Sequence, residues 1–481
     1  MNNYYEGLNE KLYAAIPPAR KVLELGCAAG RLGQKYKQLH PETTWVGVDC
    51  NPEALQLAAQ RLDATFRVNL DSEGLDAVGE GYDCVVIGDL LEHLKQPERI
   101  LEKLAQITTG NASLACCVPN MSHVSVLERM LLGDISYEDQ GLLDRTHLRF
   151  FSRSSLFKML LDSGWLPTLH DTYLVGHSNP QLADKLVEAA RLLSVPDATA
   201  RRLLFTYQMV IQCKKRSVAT NVGAGVPIAI VVPVTNQTQL HLDILKSPGL
   251  AEINAQILLC EGASSAAAAL NWGASQTPAP WVIFCHQDVY FPKGSGHAIA
   301  RVLSEIPESE ASRTILGFAG LTVKQNTAQL DLAKAGLVVD RANLFDYPES
   351  RSAVSMDEFA VVLPRNCNYK IDPRLGWHLW ATDLCLQAIF DEQKRTHARI
   401  LRVPLFHNSL CDGSLPPAFQ ASAEILAAKY PQLGFIPTLC GNISRAPGMP
   451  PTPSCENSSY HPITKSESNA EAVAACSSSA P

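Results

Sequence analysis

The feature that most constrains the fold is a repeated alternation of short β-branched runs with helix-like segments. Strands that alternate with helices are joined by crossovers, which predicts a mostly parallel sheet covered on both faces. In the first half the helix-like segments include Pro52–Leu62 and Pro97–Ile107, and an added helical piece covers Gln181–Leu204. The predicted strands there are Lys21–Leu25, Thr44–Val48, Ala64–Val68, Tyr82–Ile87, Ser113–Val118 and Tyr207–Cys213.

A second α/β pattern follows, and 481 residues are too many for one ordinary core. The sequence therefore predicts two doubly wound α/β domains, over residues 1–216 and 227–443, joined by a flexible linker at 217–226. A Pro/Ser/Asn-rich tail over 444–481 is predicted to be disordered. The strands predicted in the second half are Ile228–Val234, Ile257–Leu259, Trp281–Cys285, Ile315–Phe318, Phe359–Leu363 and Ile400–Val403.

The charge pattern argues against a nucleic-acid partner, because the net charge is −7 and no run of Lys/Arg forms a phosphate-binding arm. No apolar run approaches the roughly 18–20 residues of a membrane helix, and the first residues lack the apolar core of a signal peptide. Many of the 14 cysteines lie in apolar runs, with no CxxC pair to hold zinc. We therefore expect a cytoplasmic protein with buried free thiols.

The clearest motif in the first half is VLELGCAAGRLG, which spans Val22–Gly33. A strand carrying Glu24 leads into a turn where Gly26 and Gly30 let the backbone approach a ligand, because they lack a Cβ atom. About 20 residues later a second strand ends at Asp49, whose carboxylate can accept both hydroxyls of a ribose. A tight turn without a ligand remains an alternative. A nicotinamide dinucleotide site fits less well, because its glycines stand at the first, third and sixth positions.

Several segments together resemble the class I S-adenosylmethionine (SAM)-dependent methyltransferases, over Lys11–Leu174 and in the expected order. VLELGCAAGRLG is similar to their glycine-rich motif and WVGVDCNPEAL to their ribose-binding strand. YDCVVIGDLLEHLKQPERIL resembles their fourth strand with its helix, and SLACCVPN their fifth strand. DRTHLRFFSRSSLFKMLLDSGW resembles the late part of small-molecule methyltransferases found beside sugar-modifying enzymes. The resemblance implies a Rossmann-like fold with SAM as cofactor.

The same resemblance implies roles for individual residues around SAM. Gly26, Cys27 and Gly30 would surround the methionine moiety, and Glu24 would orient the turn or approach the amino group. The remaining contacts would be Asp49 with the ribose, Asn69 and Asp71 with the adenine, and Asp89 with the region near the acceptor. Two departures stand out, because Ala28 and Asn69 occupy positions where many relatives have Gly and Asp.

An alcohol acceptor needs a base, which histidines and carboxylates usually supply. His93 follows the fourth strand closely and is the predicted catalytic base, although a packing or helix-capping role is an equal alternative. Glu92, His123 and His147 are further candidates, and Arg145 and Arg149 beside His147 suggest a surface network instead.

In the second half the informative segment is WVIFCHQDVYFP, where a buried strand runs into His286 and Asp288. The carboxyl edge of such a strand is where α/β proteins bind ligands. Residues two apart on an extended chain point the same way, so the two side chains could hold Mn²⁺ or Mg²⁺ on a diphosphate. Asp288 could also simply cap a turn.

This half resembles glycosyltransferases of the GT-A fold, of the inverting family 2 kind, over about Ile228–Tyr430. IAIVVPVTNQ and ILLCEGASS are similar to their first two strands, and HQDVYFP stands at their metal-binding Asp-x-Asp. MDEFAVVLPR resembles the acceptor-side strand, GWHLWATDLCLQA the start of the catalytic helix, and LFHNS the late metal-binding histidine.

By this second resemblance Asp383 would be the catalytic base that deprotonates the acceptor hydroxyl. A plain helix N-cap is its alternative role. His286 replaces the first Asp of the usual metal-binding pair, which removes one negative charge. The implied metal ligands are Asp288, His286 and His407, and the implied nucleotide-sugar contacts are Glu261, Asn271, Asp288 and Asp357.

Three functions follow from these patterns. The first is a bifunctional enzyme of glycan synthesis that methylates a sugar hydroxyl and transfers a sugar from a nucleotide-sugar to a glycan acceptor. In the second, only the methyltransferase acts, and the other half binds a glycan or nucleotide. The third is a methyltransferase of RNA or protein.

Overall fold

The computed structural model describes residues 7–176, 179–220, 225–323, 332–367, 370–391, 397–444 and 452–454. Residues 221–224 of the predicted linker and most of the predicted disordered tail lie outside the described residues. Two parts of that tail are described, and they form structure: Thr452–Ser454 pairs antiparallel with the strand that ends at Ser444. Disorder of the remaining tail stays a prediction.

The N-terminal half forms one seven-stranded sheet in the order β3-β2-β1-β4-β5-β7-β6. Strands β1 to β5 run parallel, and β7 is antiparallel to both β5 and β6. The strands are β1 Lys21–Leu25, β2 Thr44–Asp49, β3 Ala64–Arg67, β4 Tyr82–Gly88, β5 Thr108–Pro119, β6 Trp165–Leu174 and β7 Thr206–Lys215. All six predicted strands are present, and β6 is one that the sequence pattern did not single out.

Apolar clusters cover both faces of this sheet, as a parallel arrangement requires. Leu23 and Leu25 of β1 pack into one buried cluster, while Val22 packs into another. The helices of this half are α1 Glu10–Ala14, α2 Arg31–Leu39, α3 Pro52–Ala58, α4 Pro97–Ile107, α5 Val124–Leu131, α6 Arg153–Asp162, α7 Pro180–Ala190 and α8 Asp197–Phe205. α7 and α8 account for the predicted helical insert before β7.

The C-terminal half departs from a simple doubly wound fold. Its main sheet has the order β18-β12-β17-β10-β8-β9, and β17 is antiparallel to β10 and β12. The strands of this sheet are β8 Ile228–Val234, β9 Gln256–Glu261, β10 Trp281–Cys285, β12 Thr314–Gly317, β17 Ala360–Pro364 and β18 His397–Ile400. The last predicted strand is displaced, because the chain pairs with β12 at Thr314–Gly317 before residue 401.

A second sheet lies beside it in the order β11-β19-β14-β13-β16, with β15 paired to β14, and the sequence did not predict it. Its strands are β11 Val289–Tyr290, β13 Ala319–Val323, β14 Leu332–Asp340, β15 Asn343–Tyr347, β16 Ala353–Met356 and β19 Leu405–His407. A small antiparallel sheet contains β20 Phe435–Thr438, β21 Gly441–Ser444 and β22 Thr452–Ser454.

The helices of the C-terminal half are short, and α14 carries the predicted base Asp383. They are α9 Gln237–Leu242, α10 Pro248–Glu252, α11 Ala266–Ser275, α12 Ser295–Ser304, α13 Glu308–Ala311, α14 Trp380–Ile389 and α15 Pro417–Lys429. No helix among the described residues is long and apolar enough to cross a membrane. The 12 cysteines in the described part of the chain are all free thiols, as predicted.

The two halves share a hydrophobic core. Phe406 of β19 belongs to the main cluster of the N-terminal sheet, and its ring lies 5.8 Å from that of Phe157. Polar contacts cross the same boundary: Tyr290 donates to Asp162 at 2.6 Å, and Lys158 pairs with the buried Asp243 at 2.7 Å. The two halves therefore pack directly against each other, although their sheets are separate.

Candidate active site

The turn after β1 has the backbone that the glycine-rich motif requires. Gly26 and Gly30 have φ values of 71° and 74°, in the region that favours glycine. Ala28, the residue that departs from relatives, also has a positive φ of 47°. The N–H groups of Gly26 and Cys27 donate to the carbonyl of Val48 at 2.8 and 3.0 Å. The turn is therefore tied to the end of β2, where Asp49 lies.

Asp49 organises this edge of the sheet. Its Oδ2 accepts from the N–H of Ala28, and its Oδ1 accepts from the N–H of Asn51, both at 2.9 Å. A carboxylate has about four lone-pair sites, so each oxygen keeps the capacity to accept another donor. Half-buried at the tip of β2, Asp49 has the position that a ribose-binding acid needs.

Glu24 lies beneath the turn and does not open into the site. It is 5 % exposed, and its Oε2 accepts a 2.8 Å hydrogen bond from the indole of Trp45. Burial raises the pKa of Glu24 to about 8, against the effect of the Trp45 hydrogen bond and with a further contribution from Asp49. Of the two implied roles, this position favours support of the turn. Cys27 is also buried, and burial raises the pKa of its thiol.

The predicted adenine contacts lie on an exposed loop after β3. The Oδ1 of Asn69 accepts from the N–H of Asp71 at 3.1 Å. The Oδ1 of Asp71 accepts from the N–H of Lys95 at 2.9 Å, which ties this loop to the segment after β4. The loops after β1, β2, β3 and β4 therefore meet at one edge, as expected for parallel strands.

Asp89 follows β4 with an uncommon φ of 45°. Residues held in this region cluster at functional sites. Its N–H donates to the carbonyl of Cys117, and its Oδ1 accepts from the side-chain amide of Gln208 at 2.9 Å. Burial by the surrounding protein raises the pKa of Asp89 to about 6, while the hydrogen bond with Cys117 and the nearby His93 lower it.

The predicted base His93 lies in a group with Glu92 and His147. The imidazole rings of His93 and His147 meet edge to face, with centroids 4.9 Å apart. Glu92 is 1 % exposed, and burial raises its pKa to about 8, with contributions from Asp89 and Asp144. The other candidate, His123, is a structural residue, because it is buried and caps the N-terminus of α5.

In the C-terminal half the three predicted metal ligands do lie together. His286, Asp288 and His407 offer ligand atoms within 4.8 Å of one another. His407 already has anionic partners: its Nδ1 lies 2.8 Å from Asp340, and its Nε2 lies 3.5 Å from Asp288. Burial alone would raise the pKa of Asp288, but the adjacent His407 lowers it to about 2. The same two acids hold the pKa of His407 well above its usual value, against the effect of burial.

Asp288 opens into a cavity of about 460 Å³ whose walls come from both halves. Leu192 and Leu193 reach it from the helical insert, and Asn236 and Gln237 reach it from the turn after β8. Glu261 lies near this cavity, because its Oε1 accepts from the Gln237 amide at 2.7 Å. Asp357 precedes β17, where its Oδ1 accepts from the N–H of Phe359 at 3.2 Å.

Asn271 does not lie in this cavity, which corrects its predicted role. It lines a different pocket, with Val282 and Leu363 near the start of β10. A crossover helix runs antiparallel to its strands, so α11 leaves the carboxyl edge at Ser265 and carries Asn271 toward the opposite edge.

Asp383 is not available as a catalytic base. It is fully buried, and Leu379 is the N-cap of α14, so the alternative capping role is also wrong. Its Oδ1 accepts from Tyr430 at 2.8 Å, and its Oδ2 accepts from Lys429 and Gln387 at 2.7 Å each. A carboxylate with three donors and no exposure cannot reach an acceptor hydroxyl.

Sequence reasoning missed Asp340, the partner of His407, and it missed Lys429 and Tyr430, the partners of Asp383. Asp340 ends the apolar strand GLVVD, so the rule that selected Asp49, an acid at the tip of a buried strand, could have found it. Lys429 and Tyr430 lie 46 and 47 residues after Asp383, and no local pattern joins them.

The strand order and the strand-edge acids agree with a comparison against protein families. Residues 2–168 match a family model described as a methyltransferase domain. The match indicates that this part of the chain is similar to methyltransferase domains. The matched part is about a third of the chain, and its last residues lie in β6.

Solved methyltransferase structures are also similar to parts of this chain. One is a SAM-dependent methyltransferase from Archaeoglobus fulgidus, at 16 % identity, 44 % coverage of this chain, 97 % of that one and a TM-score of 0.32. Another is a possible histamine N-methyltransferase from Thermotoga maritima, at 15 % identity. The match covers 44 % of this chain and 91 % of that one, with a TM-score of 0.30. The third is the plantazolicin methyltransferase BpumL in complex with SAH, at 17 % identity. The match covers 45 % of this chain and 80 % of that one, with a TM-score of 0.28.

These TM-scores are low, so the assignment of the domain depends on the family model and the strand order. No curated protein matches the chain.

Proposed function

We propose that this protein transfers the methyl group of SAM to a hydroxyl of a sugar-containing acceptor. The observation that carries the proposal is Asp49, an acid at the tip of β2 that is hydrogen-bonded to the glycine-rich turn. Its free lone pairs suit a ribose, and the adjacent turn leaves room for the methionine moiety. The sugar acceptor follows from the resemblance of Asp144–Trp165 to methyltransferases found beside sugar-modifying enzymes.

The charge of this edge suits a cationic donor. SAM carries a sulfonium and an ammonium, and the loops around the proposed site carry Asp49, Asp71, Asp89 and Glu92. Methyl transfer is an in-line displacement, in which the protein mainly aligns donor and acceptor and excludes water. We expect Asp89 to lie near the acceptor, and His93 is the proposed base for the acceptor proton.

Isothermal titration calorimetry with SAM tests the donor site. We expect Asp49→Ala to weaken SAM binding by about 100-fold, since both ribose hydroxyls lose a charged acceptor. Asp83→Asn is the matched control, because Asp83 accepts from Arg20 and Lys21 at the far end of β4. Equal SAM affinity in the Asp49→Ala variant and the unmodified chain would contradict the proposal.

The acceptor is tested separately, by comparing a pool of glycans and nucleotide-sugars with an RNA pool and a protein pool under labelled SAM. Label transferred to sugars alone supports the proposed acceptor. Label transferred to RNA or protein instead would favour the macromolecular methyltransferase.

We also propose that the C-terminal half takes part in glycan synthesis by binding a nucleotide-sugar through a divalent cation. The group of His286, Asp288 and His407 beside the 460 Å³ cavity favours this second function. Because Asp383 is buried and fully hydrogen-bonded, the structure favours binding over glycosyl transfer. A metal bound to this group would replace the proton that His407 shares with Asp288 and Asp340.

Calorimetry with uridine diphosphate and other nucleoside diphosphates, with and without Mn²⁺, tests this half. We expect Mn²⁺-dependent binding that is lost in Asp288→Asn, without detectable donor hydrolysis. Turnover of a nucleotide-sugar would restore the glycosyltransferase interpretation and require a base other than Asp383. Absence of nucleotide binding would contradict both the binding role and the glycosyltransferase interpretation.

A further inference from the structure

We propose that Glu92, His93 and His147 bind a divalent transition-metal ion, at a site separate from the His286 group. Glu92 and His93 belong to a single turn of 3₁₀ helix that follows β4, whereas His147 lies more than 50 residues later. The fold nevertheless places one ligand atom of each residue within 4.8 Å of the others. Two imidazoles and one carboxylate at this spacing are a common ligand set for such ions.

The backbone fixes both histidines in the form that binds metal. The Nδ1 of His93 lies 3.2 Å from the carbonyl oxygen of Thr146, and the Nδ1 of His147 lies 3.2 Å from that of Leu142. A carbonyl oxygen only accepts, so each Nδ1 carries the proton and each Nε2 keeps its lone pair. Donation of the second ring nitrogen to a carbonyl is the usual way in which metal-binding histidines are oriented.

Glu92 supplies an independent sign of a missing partner. Glu92 is only 1 % exposed, and its Oε2 has no hydrogen-bond partner among the described residues. A buried polar atom without a partner is costly, and an unplaced ion is one of the ordinary explanations. The ligand atom of Glu92 faces the two histidines, so a cation there would satisfy it.

The elements that carry the three ligands are held together before any metal binds. The backbone carbonyl of Glu92 accepts from the N–H groups of Leu148 and Arg149, at 2.8 and 3.0 Å. These bonds attach the loop that carries His147 to the turn that carries Glu92. Two nitrogen ligands favour Zn²⁺, Co²⁺ or Fe²⁺ over Mg²⁺ and Ca²⁺, which prefer oxygen. Three protein ligands would leave a position open for water or another oxygen.

The consequence for catalysis rests on the proposed function. Asp89, which the proposed function places near the acceptor, follows β4 directly and precedes the turn that carries Glu92 and His93. An acceptor hydroxyl bound at the open position would lose its proton to solvent water more easily, because a cation stabilises the alkoxide. His93 would then be a metal ligand, and the metal would replace it as the means of ionising the acceptor.

Cobalt binding tests the site without any methyl transfer. The metal-free full-length chain, carrying Asp288→Asn to silence the other group, is titrated with Co²⁺ while its visible absorption is recorded. We expect one Co²⁺ per chain with the absorption of a site with nitrogen ligands. Glu92→Gln and His147→Gln should each weaken binding by roughly 100-fold or more. His170→Gln, at an exposed histidine, is the matched control and should bind as the parent does.

Unchanged Co²⁺ binding in both Glu92→Gln and His147→Gln, or no specific binding by the parent, would overturn the proposal. Urea unfolding of the same variants reports folding, and calorimetry with SAM on the parent keeps the two proposals distinct. Cobalt binding without SAM binding would contradict the proposed function alone. SAM binding without cobalt binding would contradict the metal site alone.

Discussion

The two halves of the molecule differ in whether a positively charged group lies beside their buried acids. In the N-terminal half, the buried acids Glu24 and Glu92 have raised pKa values, because burial is not offset by a close, positively charged partner. In the C-terminal half, Asp288 lies beside His407, and Asp383 accepts from Lys429. Glu358 and Asp243 are exceptions there, since burial raises the pKa of Glu358 to about 8 and that of Asp243 above its usual value.

This difference shows which edge is suited to a positively charged ligand. An edge whose acids lack cationic partners gains stability when a sulfonium or a metal ion arrives. An edge whose acids are already paired must first release a protein cation, which offsets part of the gain. The comparison therefore supports cation binding at the N-terminal edge more strongly than at the C-terminal one.

The largest effect is expected for Asp383→Ala, which removes the acceptor of Lys429, Tyr430 and Gln387. Loss of one partner from a buried charged network costs about 3–5 kcal/mol in the free energy of unfolding. Asp383→Asn should cost roughly half as much, because its amide oxygen still accepts. Urea unfolding measures both variants. Unchanged stability together with a loss of sugar transfer would show instead that Asp383 is catalytic.

Glu24→Gln should remove a pH dependence of stability. The folded pKa of Glu24, about 8, lies above its ordinary value of 4.5, so its contribution to stability is fully present below pH 4.5 and is lost as the pH rises through 8. Between pH 5 and pH 8 the unmodified protein should lose roughly 3 kcal/mol relative to the Gln variant. Urea unfolding of the pair across this range gives the difference. A difference that does not change with pH would contradict the uncompensated burial of Glu24.

Lys158→Met tests whether an acid of the C-terminal half depends on a cation from the other half. Asp243 is fully buried and would keep only the amide of Asn408, at 3.2 Å. We expect a loss of roughly 2 kcal/mol in the free energy of unfolding. Lys185→Met is the control, because its ion pair with Glu188 is exposed and should contribute little to stability. Equal effects of the two changes would contradict this pairing.

The smallest effect is expected for Asp89→Asn on SAM binding. The change removes one negative charge from the N-terminal edge, while the amide oxygen can still accept from Gln208. We expect about tenfold weaker binding, or roughly 1.4 kcal/mol, measured by calorimetry. Unaltered or tighter SAM binding would show that the charge of this edge does not attract the donor.

Much of the N-terminal half could be predicted because its signals are local. Runs such as Val22–Leu25 are apolar over a strand's length, and the glycines that follow permit only a tight turn. The strand β6 was missed, because Trp165–Leu174 mixes polar and apolar residues and gains its partners from β7. The second sheet of the C-terminal half was missed because strands such as β11 and β19 come from distant segments and gain their partners only in the fold.

The sequence by itself determined the strand tips, and with them the positions of Asp49, Asp89 and Asp288, because side-chain periodicity and glycine conformation act within a few residues. Only the tertiary structure decided which acids remain without a cation. The pairing of Asp383 with Lys429, and the proximity of Glu92 to His147, join residues about 50 apart. Charge compensation depends on distances through space, and a linear pattern does not contain them.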